Sequence, residues 1–410
     1  MSRILLGVAG GIAAYKSCLL LRRFAESGHD VRVVPTPSAL KFVGETTWAA
    51  LSGHPVSTQV WDDAHEVPHV RLGQEADLVV VAPATADLLA RASAGRADDL
   101  LTNILLTARC PVIMVPAMHT EMWEHPATAA NVATLRSRGV VVMRPAEGRL
   151  TGADSGAGRM PEPDDIEQVA LVALAAPSTV RAMAAGDLTG QRVVISAGGT
   201  REHLDPVRFL GNSSSGLMGL ALARAAVQRG ADVTVVAANL SVALPAGVTG
   251  VPVTSTAELA DAMDAHSAGA DLVVMAAAPA DFTPSSPSDA KITKSGDAGL
   301  RLELTQTVDI LAGLSRRRPS GQVVVGFAAE TATDGAQLLQ LGREKLARKG
   351  CQLLVLNDVS GGKVFGAATN EVTIIAAEGV LARAAGEKGV VAHAILDAAA
   401  VIRAKERTVR

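Results

Sequence analysis

Short β-branched runs recur along this chain, each followed by a stretch rich in Ala, Leu and Arg, and that alternation limits the possible folds more than any single residue does. Apolar runs of this kind belong in parallel sheets buried on both faces, with helices as the crossovers. In the first half the expected strands are Ile4–Val8, Val31–Val34, Leu78–Ala82, Val112–Val115 and Val140–Met143, with helical stretches such as Ala13–Ser27 and Ala86–Ala94 between them. The second half starts again at RVVISAGGT (Arg192–Thr200), and strands are expected at Val233–Ala237, Leu272–Ala276, Val323–Gly326 and Leu353–Leu356. Each half opens with a strand that runs into a glycine-rich turn. The expected fold class is α/β: two Rossmann-like domains in series, each a mainly parallel sheet with helices on both faces. Pro177 and Ser178 interrupt a helical segment, and Gly186 and Gly190 bracket the new start, so the domains are placed at 1–185 and 186–410.

Composition agrees with this architecture and excludes others. With 410 residues there is room for two or three ordinary domains, and 48% hydrophobic content gives each a core. Aromatic residues are only 2%, so those cores are built from Ala, Val, Leu and Ile. A balance of 38 basic against 41 acidic groups gives no electrostatic case for a nucleic-acid or anionic-membrane partner. Cys18, Cys110 and Cys351 are far apart and form neither a disulfide scaffold nor a C-x-x-C pair, and the metal spacing H-x-x-x-H is taken to be absent as well. The opening MSRILLGVAGGIAAYK has some features of a leader peptide but reads equally as strand, glycine turn and helix, the reading preferred here. The uncharged run from Val233 to Ala257 could span a bilayer by length. It holds Pro245, Gly247, Gly250 and Pro252, however, and reads as strand and loop. The expectation is a cytoplasmic protein.

The first half carries an anion-binding pattern. Gly10 and Gly11 end the first strand, let the backbone approach a ligand, and lead into a helix whose N-terminal amides face an anion. A plain tight turn explains these two residues equally well. Thr36 and Ser38 follow the second strand and can add hydroxyls to the same phosphate. No acidic residue ends that strand, which argues against a dinucleotide ribose there. Pro83, Ala84 and Thr85 are expected to turn sharply and offer small side chains to a flat ring. VPAMHTEMW brings Met118 and His119 to the same sheet edge. Upstream, His69 in VPHVRLGQEAD can exchange protons near neutral pH, with an ordinary structural histidine as the alternative. The glycine-rich segment GRLTGADSGAGRMPEP (Gly148–Pro163) is expected to be long and irregular, a lid in preference to a linker.

In the second half GNSSSG (Gly211–Gly216) exposes consecutive amides and hydroxyls at a helix start, an anion site or simply a good cap. There is no G-x-x-x-x-G-K-[ST]. Basic residues arrive from separate segments: Lys291 and Lys294 in DAKITKSGD, and Lys345 and Lys349 one helical turn apart. Lysines at that spacing are more often simply solvated.

These residues carry a resemblance. GGIAAYK, His69 ahead of ADLVVVAPATADLLA, the ADDLL stretch and PAMHTEMW resemble the flavin-dependent cysteine decarboxylases. Gly148–Met160, with Gly156, Gly158, Arg159 and Met160, resembles that family's substrate clamp. The second half is similar to the domain fused to it in bacteria, so that nearly the whole chain resembles the bifunctional phosphopantothenoylcysteine decarboxylase/phosphopantothenate–cysteine ligase family. The resemblance implies FMN held by Gly10, Gly11, Ser38, Thr85 and Met118. It also implies a route in which the substrate thiol is oxidised to a thioaldehyde, carbon dioxide is lost, and the enethiol is reduced to product. His69 matches the essential histidine, and His119 stands where the family has asparagine. The family's clamp cysteine has no counterpart near Gly152–Ala153, which leaves the last proton donor unassigned.

For the second half the resemblance implies ligation of 4′-phosphopantothenate to cysteine through an acyl-cytidylate, with CTP and Mg²⁺ or Mn²⁺. Asp281, Lys291, Val308, Asp309, Ile310, Phe327, Lys345 and Lys349 match CTP-contacting positions. Arg208 and Asn212 match residues of acyl-nucleotide formation and turnover, with Lys291 the essential lysine. Thr293 replaces one lysine of the usual K-x-K-K. The residues of the metal site stay unknown. Homo-oligomers are implied, trimers through the flavin units and dimers through the ligase units, up to a dodecamer. Two alternatives stand beside this reading: a nicotinamide-dependent dehydrogenase, and a ligase fused to a non-catalytic flavin-binding regulatory module.

Overall fold

The aliphatic runs become parallel strands in a computed structural model that describes residues 1–58, 68–149, 155–293, 299–359 and 369–408. β1 (Arg3–Val8), β2 (Asp30–Pro35), β3 (Leu78–Ala84), β4 (Val112–Pro116) and β5 (Val141–Val142) form one sheet in the order β2-β1-β3-β4-β5, every pairing parallel. Alternate residues supply its two faces. Leu5, Val79, Val81 and Met114 pack with Leu88, Leu101 and Ile104 on one side. Ile4, Leu6 and Val80, equally buried, point to the other. The helix Ala14–Glu26 buries Leu20, Leu21 and Phe24, a stripe at helical spacing, and packs beside the helix Pro163–Ala175.

Two details differ from the expectation. Pro83 and Ala84 do not turn but continue β3, with a shift of register between Val81 and Ala84 that lets proline sit in a buried strand. The segment expected to be irregular is largely an antiparallel ribbon of β6 (Ala146–Arg149) and β7 (Ser155–Arg159). Two of its glycines, Gly148 at φ 142° and Gly158 at φ 153°, adopt backbone conformations that side chains resist. Residues 150–154, where the clamp cysteine was sought, lie outside the described residues.

The contacts divide the chain into Met1–Asp187 and Leu188–Arg410. The second unit contains β8 (Arg192–Gly198), β9 (Arg201–His203), β10 (Phe209–Gly211), β11 (Asp232–Ala238), β12 (Val248–Val253), β13 (Leu272–Met275), β14 (Phe282–Pro284), β15 (Leu304–Gln306), β16 (Val323–Glu330), β17 (Leu353–Asp358), β18 (Thr369–Ala376) and β19 (Gly379–Glu387). Eight of these form a sheet in the order β12-β11-β8-β13-β16-β17-β18-β19. It is parallel through β17, and β18 and β19 add an antiparallel hairpin. That hairpin was not anticipated, because β19 is half-exposed and alanine-rich and lacks an apolar run. Val193, Ile195 and Val235 face Leu222, Ala226 and Ile395 on one side. Val194, Val236 and Val324 face Leu259, Met263 and Leu314 on the other. The apolar run after Val233 is β11, loop and β12. Among the described residues no helix is long and apolar enough to cross a membrane.

Candidate functional sites at two sheet edges

In such sheets a crevice opens where neighbouring crossovers leave in opposite directions, here between β1 and β3 and again between β8 and β13. In the first unit the Ala9 amide donates to Pro83 O at 3.1 Å and ties the ends of β1 and β3 together. Gly10 lies so close to the next loop that a Cβ there would stand 2.4 Å from Ser38 Cβ. At Gly11 a Cβ would meet Thr85 Cγ2 at 3.7 Å. Thr85 caps the helix Ala86–Ser93, its hydroxyl accepting from the Leu88 amide at 3.4 Å. The Ala117 amide donates to Ala84 O at 3.1 Å, which places Met118 and His119 along the same edge. Gly10, Gly11, Ser38, Thr85 and Met118 are thus gathered by four separate connections. β2 ends at Pro35 and Thr36 follows, with no carboxylate that could hold a ribose.

The ribbon docks on this edge. The Met118 amide donates to Gly158 O at 3.0 Å, and a Cβ on Gly158 would strike Met118 O at 2.2 Å. Gly156 is packed as tightly on Thr120, whose buried hydroxyl has no hydrogen-bond partner. At its base Met160 is buried, and Lys16 Nζ donates to Met160 O at 3.2 Å and to Glu162 Oε1 at 2.9 Å. Arg159 pairs with the same Glu162 at 2.6 Å. The His119 imidazole is exposed and makes no capping bond.

His69 is placed differently. It sits in the helix Pro68–Glu75, its carbonyl accepts from Thr107 Oγ1 at 2.8 Å, and its Nδ1 is buried with no hydrogen-bond partner. No hydrogen bond among the described residues links it to Gly11, Thr85 or His119, and residues 59–67 just before it lie outside the described residues. The string HEVPH (His65–His69) has the H-x-x-x-H spacing of zinc proteases, which the sequence reading took to be absent. His65 and Glu66 are not described, and Pro68 is a poor interior residue for the helix that motif needs.

A cavity of about 510 Å³ is lined by Asp281, Val308, Asp309, Ile310, Phe327, Lys345 and Lys349, seven residues that the sequence reading brought together, and by Phe282, Gln306 and Thr307 besides. This volume suits a nucleotide-sized ligand. Both lysines meet carboxylates: Lys345 Nζ is 2.7 Å from Glu330 Oε1, and Lys349 Nζ is 2.6 Å from Asp309 Oδ2. Burial alone would raise the Asp309 pKa, but Lys349 and the Ala312 amide hold it below the usual carboxylate range. A second cavity of about 320 Å³ shares Ala277, Pro279, Phe327 and Lys345 with the first. It runs along Ser214, Ser215 and Gly216 to Asn357, Asn370 and Lys388.

Asn212 stands at the crevice, its amide donating to Ala278 O at 3.1 Å and Pro279 O at 2.9 Å. Arg208 and Lys291 do not line the 510 Å³ cavity. They are drawn together by Asp205, which the sequence reading missed. Its carboxylate is paired with the Arg208 guanidinium at 2.7 Å and accepts from the Ile292 amide at 3.1 Å. Burial would raise its pKa, yet the amides of Val207, Arg208 and Ile292 and the Arg208 side chain bring it down to about 2. The available signal was the D-P-V-R string, since Asp before proline commonly accepts from backbone amides two and three residues on. Lys294 lies outside the described residues. Among the described residues no three His, Cys, Asp or Glu side chains converge as a metal site.

Comparison with known proteins gives a consistent picture. A family model described as Flavoprotein matches residues 1–174, and one described as DNA/pantothenate metabolism flavoprotein C-terminal domain matches residues 188–402. The chain is 54% identical over 403 residues to the coenzyme A biosynthesis bifunctional protein CoaBC of Mycobacterium bovis, covering 97% of this chain and 96% of that one. It is 42% identical over 380 residues to the protein of that name from Bacillus subtilis, covering 92% and 91%. A crystal structure of the C-terminal domain of a CoaBC protein is 34% identical, with a TM-score of 0.42 over 52% of this chain and 95% of that one.

Proposed function

The chain belongs to the bifunctional coenzyme A biosynthesis proteins, a decarboxylase joined to a ligase, and from that membership we propose how its two sites divide the work. The unit Leu188–Arg410 joins 4′-phosphopantothenate to cysteine, and the unit Met1–Asp187 decarboxylates the product to 4′-phosphopantetheine. One observation carries the ligase assignment: the 510 Å³ cavity is walled by the residues expected to contact CTP. Phe327 offers an apolar wall for the cytosine. Lys345 and Lys349 exchange Glu330 and Asp309 for phosphate oxygens, so an existing pair of cations is redirected onto the triphosphate. Mg²⁺ arrives with the triphosphate, an ordinary mode for an ion that keeps most of its water.

The adjoining 320 Å³ cavity takes phosphopantothenate, its carboxylate toward the shared wall at Ala277–Pro279. That carboxylate oxygen attacks the α-phosphorus and pyrophosphate leaves. The cysteine amine then attacks the acyl carbon, loses a proton, and CMP leaves. The first step is needed because an unactivated carboxylate has no competent leaving group. Lys291 and Arg208 offset charge developing at the α-phosphate, and Asn212 holds the acyl oxygen at the crevice.

In the first unit Gly10, Gly11, Ser38, Thr85 and Met118 would hold FMN, and the close approach at Gly10 and Gly11 fits a cradle that side chains would fill. FMN, when bound, supplies the two-electron chemistry that activates the substrate for loss of carbon dioxide. His69 moves the substrate's proton, His119 donates to its carboxylate, and Gly156, Gly158, Arg159 and Met160 close the ribbon over it.

Neither alternative is favoured. The model matched by the first unit is a flavoprotein's, and the relatives matched over nearly the whole chain are bifunctional. Homo-oligomers, trimers through the first unit and dimers through the second, belong to the same reading. Cytoplasmic residence follows from the pathway.

The test supplies phosphopantothenate, cysteine and CTP and follows pyrophosphate and carbon dioxide separately. His69→Asn should abolish carbon dioxide release and leave pyrophosphate unchanged. Lys291→Gln should stop pyrophosphate release yet leave decarboxylation of supplied phosphopantothenoylcysteine intact. Any other division of the losses removes the assignment concerned.

A further inference from the structure

Asp205 is the most completely satisfied acid near the ligase site, and what it satisfies comes from two separate segments. Its side chain has no accessible surface. Oδ1 accepts from the amides of Val207 at 2.8 Å and Arg208 at 2.7 Å, closing the turn that presents Arg208. Oδ2 accepts from Arg208 Nε at 3.0 Å and from the amide of Ile292 at 3.1 Å, 87 positions along the chain. The Arg208 guanidinium donates in turn to the Ile292 carbonyl. One further bond joins the same segments, from the Ser288 amide to Leu204 O at 2.9 Å. The stretch from Ser288 to Ile292 belongs to no helix or strand, so this clasp is what locates it.

We infer that Asp205 is a positioning residue for acyl-nucleotide formation: by holding the Ile292 amide and the Arg208 guanidinium together it sets where Lys291 stands relative to Arg208. The inference rests on the ligase reading of Lys291 given above. Asp205 pairs with Arg208 at 2.7 Å and so fixes the direction of its guanidinium. Two oxygens accept three backbone N–H groups in addition to the guanidinium, and only a carboxylate can do this. An amide would present N–H groups to donors on one side.

The test is steady-state ligation by the full-length protein. Asp205→Asn should lower kcat for pyrophosphate release by roughly 10- to 100-fold, the cost of a catalytic group displaced by about an ångström. The KM for CTP should stay within about twofold, since the CTP cavity is built elsewhere. Decarboxylation of supplied phosphopantothenoylcysteine should not change. Wild-type turnover in Asp205→Asn, or a loss confined to the KM for CTP, would each overturn the inference. A dead Lys291→Gln beside a normal Asp205→Asn removes the positioning role alone. A normal Lys291→Gln removes the reading of Lys291 and the inference with it. If Asp205→Asn does not fold, Ile292→Pro deletes one donor to the same carboxylate and should show the same kcat loss at unchanged KM, with wild-type turnover again decisive against the clasp.

Discussion

At Gly10 a single methyl group separates an open loop from a blocked one. A Cβ there would stand 2.4 Å from Ser38 Cβ and 2.8 Å from the Ser38 carbonyl carbon, so no flexible side-chain end can relieve it. The backbone must part, and the loops after β1 and β2 part with it. Gly10→Ala is therefore expected to weaken flavin binding by at least about tenfold, since a misplaced anion cradle loses its aligned amides. Titration of the apoprotein with FMN by fluorescence quenching measures this, and pyrophosphate release by the same sample should be unaffected. Gly10, Ser38, Thr85 and Met118 were legible in the sequence because each follows an apolar run closely, and the ends of such runs meet at one edge of a parallel sheet. Asp205 and Glu330 were not. The D-P-V-R string marks only the local turn at Asp205; its bond to the Ile292 amide spans 87 positions and the Glu330–Lys345 pair 15, and no local pattern marks such meetings.

Among the elements, the β6–β7 ribbon departs most from its expected form. Its glycines suggested a structureless lid, because composition alone registers what glycine permits and not what it is used for. Here it lets β7 lie against Met118 and Thr120 without side chains between. The ribbon is anchored by Lys16, a nearly buried lysine whose ammonium reaches Met160 O and the half-exposed Glu162. Lys16→Met keeps the apolar stem and removes those bonds, at a cost of about 1–2 kcal/mol once the exposure of Glu162 is allowed for. Thermal unfolding of the flavin unit should shift down by roughly 2–8 °C. Decarboxylation should fall further than stability accounts for, because the ribbon's hold over the substrate edge is loosened. A thermal shift with wild-type decarboxylation would mean that Lys16 serves stability alone. The β18–β19 hairpin escaped the sequence reading for a different reason. An edge strand needs little apolar content, so β19 carries almost no periodic signal.

At the scale of the whole molecule, each unit buries its own aliphatic core on both faces of its own sheet. Each crevice also lies within one unit, so neither site needs residues from the other's sheet. Expressed as two chains, 1–187 and 188–410, the protein should give a flavin-binding decarboxylase and a CTP-dependent ligase. Each should unfold cooperatively at the temperature of its transition in the intact chain, which calorimetry on the three samples reads. A fragment that fails to fold would show that the units depend on one another.

The amino-acid sequence by itself determined the alternation of strand and helix and the glycine turns at the two crevices, because burial periodicity and backbone sterics act over a few residues and leave a readable pattern; the family came from the resemblance of its motifs. The tertiary structure alone decided which charges meet: Lys16 with Glu162, Asp205 with Arg208 and the Ile292 backbone, Lys345 with Glu330, Lys349 with Asp309. Such contacts depend on distance in space, which exists only after the strand order has been set, and not on spacing along the chain.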